Sequence, residues 1–243
     1  MTDEKNRATA TLDALPMEVR QRLDALRGEL VKAAGGELVA LLVFGSAARG
    51  GWRPGRSDVD VMVVLRDDSR EVLERIGHPL LLARYAARVE AIVLRADEVA
   101  HAADVFPLLY DELREDGVAL HGESPFVGLH ISDKHRRLRI EQELREARIR
   151  LRRMVTDSDG SKSALAIAVE RKLRQVRSPL RALLKLSSGD PGVSLDAVLA
   201  DACKRFSVDG AALTRAQEDA PAAYAALTKL LAAAIDEADR LND

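Results

Sequence analysis

The sequence predicts an α+β chain in two parts: a mixed strand-and-helix domain over residues 1–131, then an all-α four-helix bundle over 132–243. Three observations carry that prediction. Short apolar runs alternate with helical spacings as far as residue 121. After Ser132 only long amphipathic helical patterns occur. The charge changes sign at the same place: residues 1–131 hold 16 Lys+Arg against 22 Asp+Glu, net −6, and residues 132–243 hold 21 against 17, net +4.

Each element follows from its pattern. In residues 16–34, Val19, Leu23, Leu26 and Leu30 recur at helical spacing, Pro16 suits the first turn, and Gly35-Gly36 ends the helix. LVALLVF (38–44) and DVDVMVVL (58–65) read as strands, with a helical segment over 68–87. RVEAIVL (88–94) is a third strand, a helical stretch covers 97–115, and GVALH (117–121) is a fourth strand. The domain boundary falls near 124–133. Helices are predicted over 134–156, 163–186, 194–206 and 221–241, separated by TDSDGS, SSGDPGVS and other turn-rich connections. No internal repeat is present.

Composition narrows the class. At 47% hydrophobic the chain can bury a core, which excludes a disordered protein. Aromatics at 3% argue against base-stacking platforms for single-stranded nucleic acid. Cys203 is the single cysteine, so there is no internal disulfide and no cysteine cluster for zinc, which suits a reducing compartment. MTDEKNRATATLD lacks the apolar core of a signal peptide, and no apolar run reaches the roughly 18 residues of a membrane span. These features predict a cytoplasmic protein.

The chemistry concentrates in residues 43–65, VFGSAARGGWRPGRSDVDVMVVL. Side chains alternate across a strand, so Asp58 and Asp60 share one face while Val59, Val61 and Val63 face the core. Paired carboxylates repel each other and are costly in a buried strand unless a cation compensates. Mg²⁺ prefers such hard oxygen ligands together with phosphates. The competing explanation is an exposed strand end. Upstream, Gly45 and Ser46 end one strand and open a short helical turn, an arrangement that suits a phosphate cradle. Arg49, Arg53 and Arg56 lie in the same loop, and Ser57 directly precedes the acidic pair. A Walker A loop is excluded, because Gly51-Trp52 stands where its Lys and Ser/Thr are needed. No GxGxxG fingerprint occurs.

The Gly45-Ser46 turn followed by Asp58-Val59-Asp60 resembles the signature of the DNA polymerase β-like nucleotidyltransferase superfamily. The form GSAARG…SDVDV is most similar to small bacterial members: aminoglycoside nucleotidyltransferases and minimal nucleotidyltransferases found with HEPN domains. The resemblance spans about 23 residues, and the element order over 16–131 agrees with it. It implies a polymerase β-like fold with a mixed sheet, two Mg²⁺ ions, and ATP or another nucleoside triphosphate as substrate. It also calls for a third carboxylate on a later strand. Glu90, in ARVEAIVL, is the one acidic residue inside such a candidate strand. The resemblance implies that Glu90 acts as general base and could join Asp58 and Asp60 around the metal. The competing explanation is an edge-strand charge facing water.

The helical half bears on the acceptor. Residues 134–153 carry nine basic and three acidic residues, and 162–185 carry seven and one. By resemblance to the helical domains of aminoglycoside nucleotidyltransferases, Arg171, Lys172 and Arg174 are candidates to hold the triphosphate. Solvated helix faces with i,i+4 pairs, or an RNA-binding surface, are the alternatives. The pattern LRALLKLSSGDPGVSLDAVL resembles HEPN-like bundles, but the Arg-x4–6-His motif of their nucleases is missing. The histidines are scattered and read as structural. Trp52 and Tyr85 could stack on a ring, although packing is the simpler role. The expected activity is transfer of a nucleoside monophosphate to a hydroxyl of a small molecule, first an aminoglycoside-like antibiotic. Alternatives are transfer to tRNA or a partner protein, or a catalytically inactive nucleotide-binding regulator. A homodimer is compatible with the sequence.

Overall fold

A four-stranded mixed sheet organises the amino-terminal half. The computed structural model describes residues 12–241; the polar amino-terminal stretch through Thr11 lies outside the described residues. The chain divides into two units, Met1–His130 and Ile131–Asp243. In the first, β1 (Leu38–Phe44), β2 (Val59–Leu65), β3 (Val89–Arg95) and β4 (Val118–His121) run in the order β3-β2-β1-β4. β1 is antiparallel to both β2 and β4, while β2 and β3 are parallel. A parallel pair needs a crossover connection. Helix α3 (Arg70–Ala87) supplies it, after α1 (Met17–Ala34) and the short turn α2 (Gly45–Ala48).

The central strand β2 is buried on both faces, which explains its near-continuous apolar run. Val59, Val61, Val63 and Leu65 pack with Leu23, Leu26 and Leu30 of α1 and with Val72, Ile76 and Ala83 of α3. Met62 and Val64 alternate with them, and they too are fully buried. Asp60 begins this second row, at the mouth of an otherwise apolar face. Two further helices, α4 (Glu98–His101) and α5 (Pro107–Glu115), contact β3 and β1 respectively.

Three sequence expectations shift in detail. The helix expected over 97–115 is two helices, because Pro107 opens α5 and drives Phe106 out of the helical region (φ −117°, ψ 45°). β2 begins at Val59, so Asp58 stands just outside the strand. Ala91 and Ile92 of β3 are exposed, because β3 is a sheet edge.

The second unit is helical: α6 (Asp133–Asp157), α7 (Lys162–Ser187), α8 (Leu195–Phe206), the five-residue α9 (Gly210–Thr214) and α10 (Ala220–Arg240). Helix α7 packs against α6, α8 and α10. Side-chain caps explain where the helices start. Ser132, Ser161 and Ser194 accept from the backbone N–H three residues on, as does Asp219, and Asp209 caps α9. Among the described residues, no helix is long and apolar enough to cross a membrane. Leu26 is completely buried between α1 and the sheet. Leu26→Ala should therefore lower unfolding stability by about 2–5 kcal/mol in a denaturant titration.

Candidate active site

The site forms where the ends of three strands meet. Asp60 pairs with Glu90 across the parallel β2–β3 ladder and with Phe44 across the antiparallel β1–β2 ladder. Paired residues on adjacent strands point to the same face, so Asp60 and Glu90 are side by side, while Asp58 stands just outside β2, near enough for its charge to act on Asp60. The Asp60 carboxyl is pushed above its ordinary range, first by burial, then by the charges of Asp58 and Glu90, with Arg49 opposing. Its surroundings therefore resist a full negative charge.

Gly45 follows Phe44 directly, which sets it against Asp60. A Cβ at position 45 would lie 2.2 Å from Asp60 Oδ2, and the glycine has φ +70°. Any side chain there would displace the carboxylate and strain the backbone by roughly 1–2 kcal/mol. Glycine at this position is thus explained by the carboxylate beside it. Ser46 is half-buried, and its carbonyl accepts from Gly51 N–H at 2.9 Å. Ser57 closes the following loop: its Oγ accepts from Arg53 N–H at 3.1 Å, and its own N–H donates to the Arg53 carbonyl at 3.0 Å.

Two arginines and a glutamate not assigned from the sequence, Arg84, Arg88 and Glu112, complete the arrangement. Arg88 Nε donates to Asp58 Oδ1 at 2.8 Å, and Nη2 reaches the same oxygen at 2.8 Å. Arg84, one helical turn earlier, stands 3.2 Å from Glu90 Oε1. Arg49 is ion-paired with Glu112 of α5, both largely buried. The side chains of Asp58 and Glu90 are 44% and 47% exposed, so solvent and ligands reach them. Among the described residues no three His, Cys, Asp or Glu side chains converge as a ready metal cluster. Asp58 and Glu90 are instead turned toward their arginines. Trp52 packs against the core, whereas Tyr85 is exposed.

Arg171, Lys172 and Arg174 lie on α7 of the helical unit. Arg171 and Arg174 are exposed, but Lys172 is only 3% exposed, on a different side of the helix. Its Nζ donates to the uncharged Gln175 Oε1 at 2.7 Å. Burial, reinforced by Arg150 and Arg171 and opposed by Glu146, lowers its pKa. A helical-wheel reading groups Arg171 with Arg174; that Lys172 is buried is a tertiary fact.

Comparison with known proteins bears on the domain and the fold. Residues 23–122 match the family model of the nucleotidyltransferase domain. No curated protein sequence matches. Among solved structures, the chain is similar to the spectinomycin adenyltransferase of Enterococcus faecialis, determined with ATP and spectinomycin. That similarity has 14% identity and a TM-score of 0.51, covering 92% of this chain and 99% of the other. The match to a nucleotidyltransferase domain therefore falls within the amino-terminal unit, over residues 23–122, and the chain shares its fold with the spectinomycin adenyltransferase.

Proposed function

We propose that this chain transfers a nucleoside monophosphate, AMP from ATP in the first instance, to a hydroxyl group of a small molecule, using Mg²⁺. The observation that carries the reading is the pairing of Asp60 with Glu90, with the Asp58 charge acting on Asp60 and Gly45 set against it. The donor set fits a divalent cation: hard carboxylate oxygens, crowded enough that burial and like charge already oppose ionisation of Asp60. Asp58 and Asp60 would hold the cation, with Glu90 at its edge. A cation bound there offsets charge on the attacking and leaving oxygens of an in-line displacement.

The chain's own residues perform the remaining work. Gly45, Ser46, Arg49 and Ser57 would line the triphosphate in the amino-terminal unit; taken by itself, the helical unit offers Arg171, Lys172 and Arg174 of α7 as candidate phosphate contacts. Lys172 supports this role because its buried ammonium has only a neutral amide partner in the hydrogen bonds described above, so an anion would compensate it. Glu90 takes the proton from the acceptor hydroxyl as that oxygen bonds to the α-phosphorus. The bond from phosphorus to the bridging oxygen breaks, and pyrophosphate leaves.

The acceptor class rests on the structural neighbour, whose described complex contains ATP and spectinomycin and whose length this chain matches across both units. An aminoglycoside-like compound is therefore the first acceptor to test. Transfer to tRNA or a protein is the second reading, suggested by the basic face of α6. There Arg137, Arg139, Arg145 and Arg150 are ion-paired with Glu141, Glu143, Glu141 and Glu146, which favours the small molecule. A reducing, cytoplasmic setting suits the free, buried Cys203.

Turnover is the direct check. ATP, Mg²⁺ and a panel of aminoglycoside-like acceptors should give pyrophosphate release, which Asp58→Asn abolishes and Glu90→Gln slows by about 10²–10⁴-fold. Acceptor-independent inactivity of the intact chain across the panel would remove the proposal. Thermal stability gives a second check. Asp60 binds its proton more tightly folded than unfolded, so stability falls as pH rises from 3.8 through the raised folded value, and the full penalty stands at neutral pH. Asp60→Asn should thus raise Tm at pH 7, lose that advantage below pH 3.8, and gain less from added Mg²⁺ than the wild type. Lys172 behaves with the opposite charge: its lowered pKa makes the charged form costly in the fold, and stability rises as pH climbs toward 10.5. Lys172→Met should raise Tm at pH 7 while weakening thermal protection by pyrophosphate; undiminished protection would take Lys172 out of the phosphate site.

A further inference from the structure

Arg88 occupies a backbone position that its helix does not need an arginine to fill. It caps α3 in the left-handed conformation, φ 52° and ψ 42°, with its N–H bonded to the Ala83 and Arg84 carbonyls. Glycine is the usual residue there, because any Cβ is strained. The carbonyl of Arg88 accepts from Val59 N–H at 3.0 Å, anchoring the start of β2. From this fixed root the guanidinium makes two kinds of contact. Nε and Nη2 hold Oδ1 of Asp58, and Nη1 donates to the carbonyl of Gly55 at 3.1 Å. Gly55, at φ +69°, lies within the turn over Arg53–Ser57 that joins the Gly45 segment to Asp58.

Stability does not explain this arrangement. The pair is half exposed, and exposed ion pairs contribute little, while the backbone strain works against it. Geometry explains it better. Both contacts to Asp58 use Oδ1, so the arginine fixes the carboxylate's orientation without engaging Oδ2. Because Asp58 stands outside β2, the strand ladder does not orient it, and Arg88 does.

We infer that Arg88 is the positioning residue of the site: one side chain, rooted at the strained cap of α3, locks Asp58 and the Gly55 turn together so that Asp58 Oδ2 is presented for cation binding. The inference rests on the reading of Asp58 and Asp60 as the cation-binding pair. Hydrogen-bonded partners of ligating carboxylates typically alter metal affinity or activity 10–100-fold when removed.

Arg88→Gly and Arg88→Lys in the full chain test it. Glycine relieves the strained cap, so the fold survives loss of the side chain. Without metal, tryptic cleavage of the Arg56–Ser57 bond should be several-fold faster in Arg88→Gly, because the turn has lost its clamp. In a Mg²⁺ titration of Tm without nucleotide, the midpoint should rise about 10–100-fold in Arg88→Gly, with Arg88→Lys between it and wild type. Wild-type cleavage and a wild-type midpoint in Arg88→Gly, beside a response lost in Asp58→Asn, would overturn the role of Arg88 and leave the cation site standing. A wild-type chain whose Tm ignores Mg²⁺ would overturn the cation site, and the positioning role with it.

Discussion

The amino-terminal unit is built around a repulsion. Asp60 and Glu90 pair at neighbouring strand ends, and the charge of Asp58 also acts on Asp60. Two unit charges about 5 Å apart repel by roughly 3 kcal/mol at an effective dielectric near 20. That is a substantial fraction of a domain's net stability. The fold offsets the charge locally in different ways. The outer two carboxylates receive arginines from the carboxyl-terminal turn of α3, and Asp60 is left to burial and a more distant Arg49. On the proposed reading, a bound cation would relieve the crowding that remains.

The topology delivers these partners. Because β2 and β3 are parallel, their connection has to cross over through α3, and the end of α3 arrives next to the beginning of both strands. Arg84 and Arg88 therefore meet Glu90 and Asp58 as a consequence of the crossover. The antiparallel neighbour β1 ends beside Asp60 and brings Gly45, the only residue type whose lack of a Cβ leaves that carboxylate in place. At Asp60 the negative charge that costs stability is, on the proposed reading, the charge that would hold a divalent cation.

The helical unit shows the same opposition in the reverse sign. Lys172 is buried among the apolar side chains of α7, with an amide as its hydrogen-bond partner, while its neighbours Arg171 and Arg174 remain in solvent. Four of the arginines of α6, Arg137, Arg139, Arg145 and Arg150, are held in i,i+4 pairs with glutamates, so part of the basic character of that helix is neutralised along its own surface.

What the sequence by itself determined is what short-range physics controls. The period-two run after Asp58 identified β2 and placed the valines on the core side, and the long amphipathic patterns after Ser132 located the helices of the second unit. The Gly45-Ser46 and Asp58-Val59-Asp60 spacing carried the resemblance to nucleotidyltransferases, and that resemblance singled out Glu90 as a candidate. What only the tertiary structure decided depends on pairing across distance. The register that seats Glu90 beside Asp60 joins positions thirty residues apart in sequence. The clamp on Asp58 comes from a left-handed arginine that in sequence looks like any solvated helix-end charge, and Glu112 is indistinguishable from its exposed neighbours until β1 and α5 bring it to Arg49. Charge identity is written in the chain, but the environment that makes a charge costly, paired or functional exists only once the strands are in register.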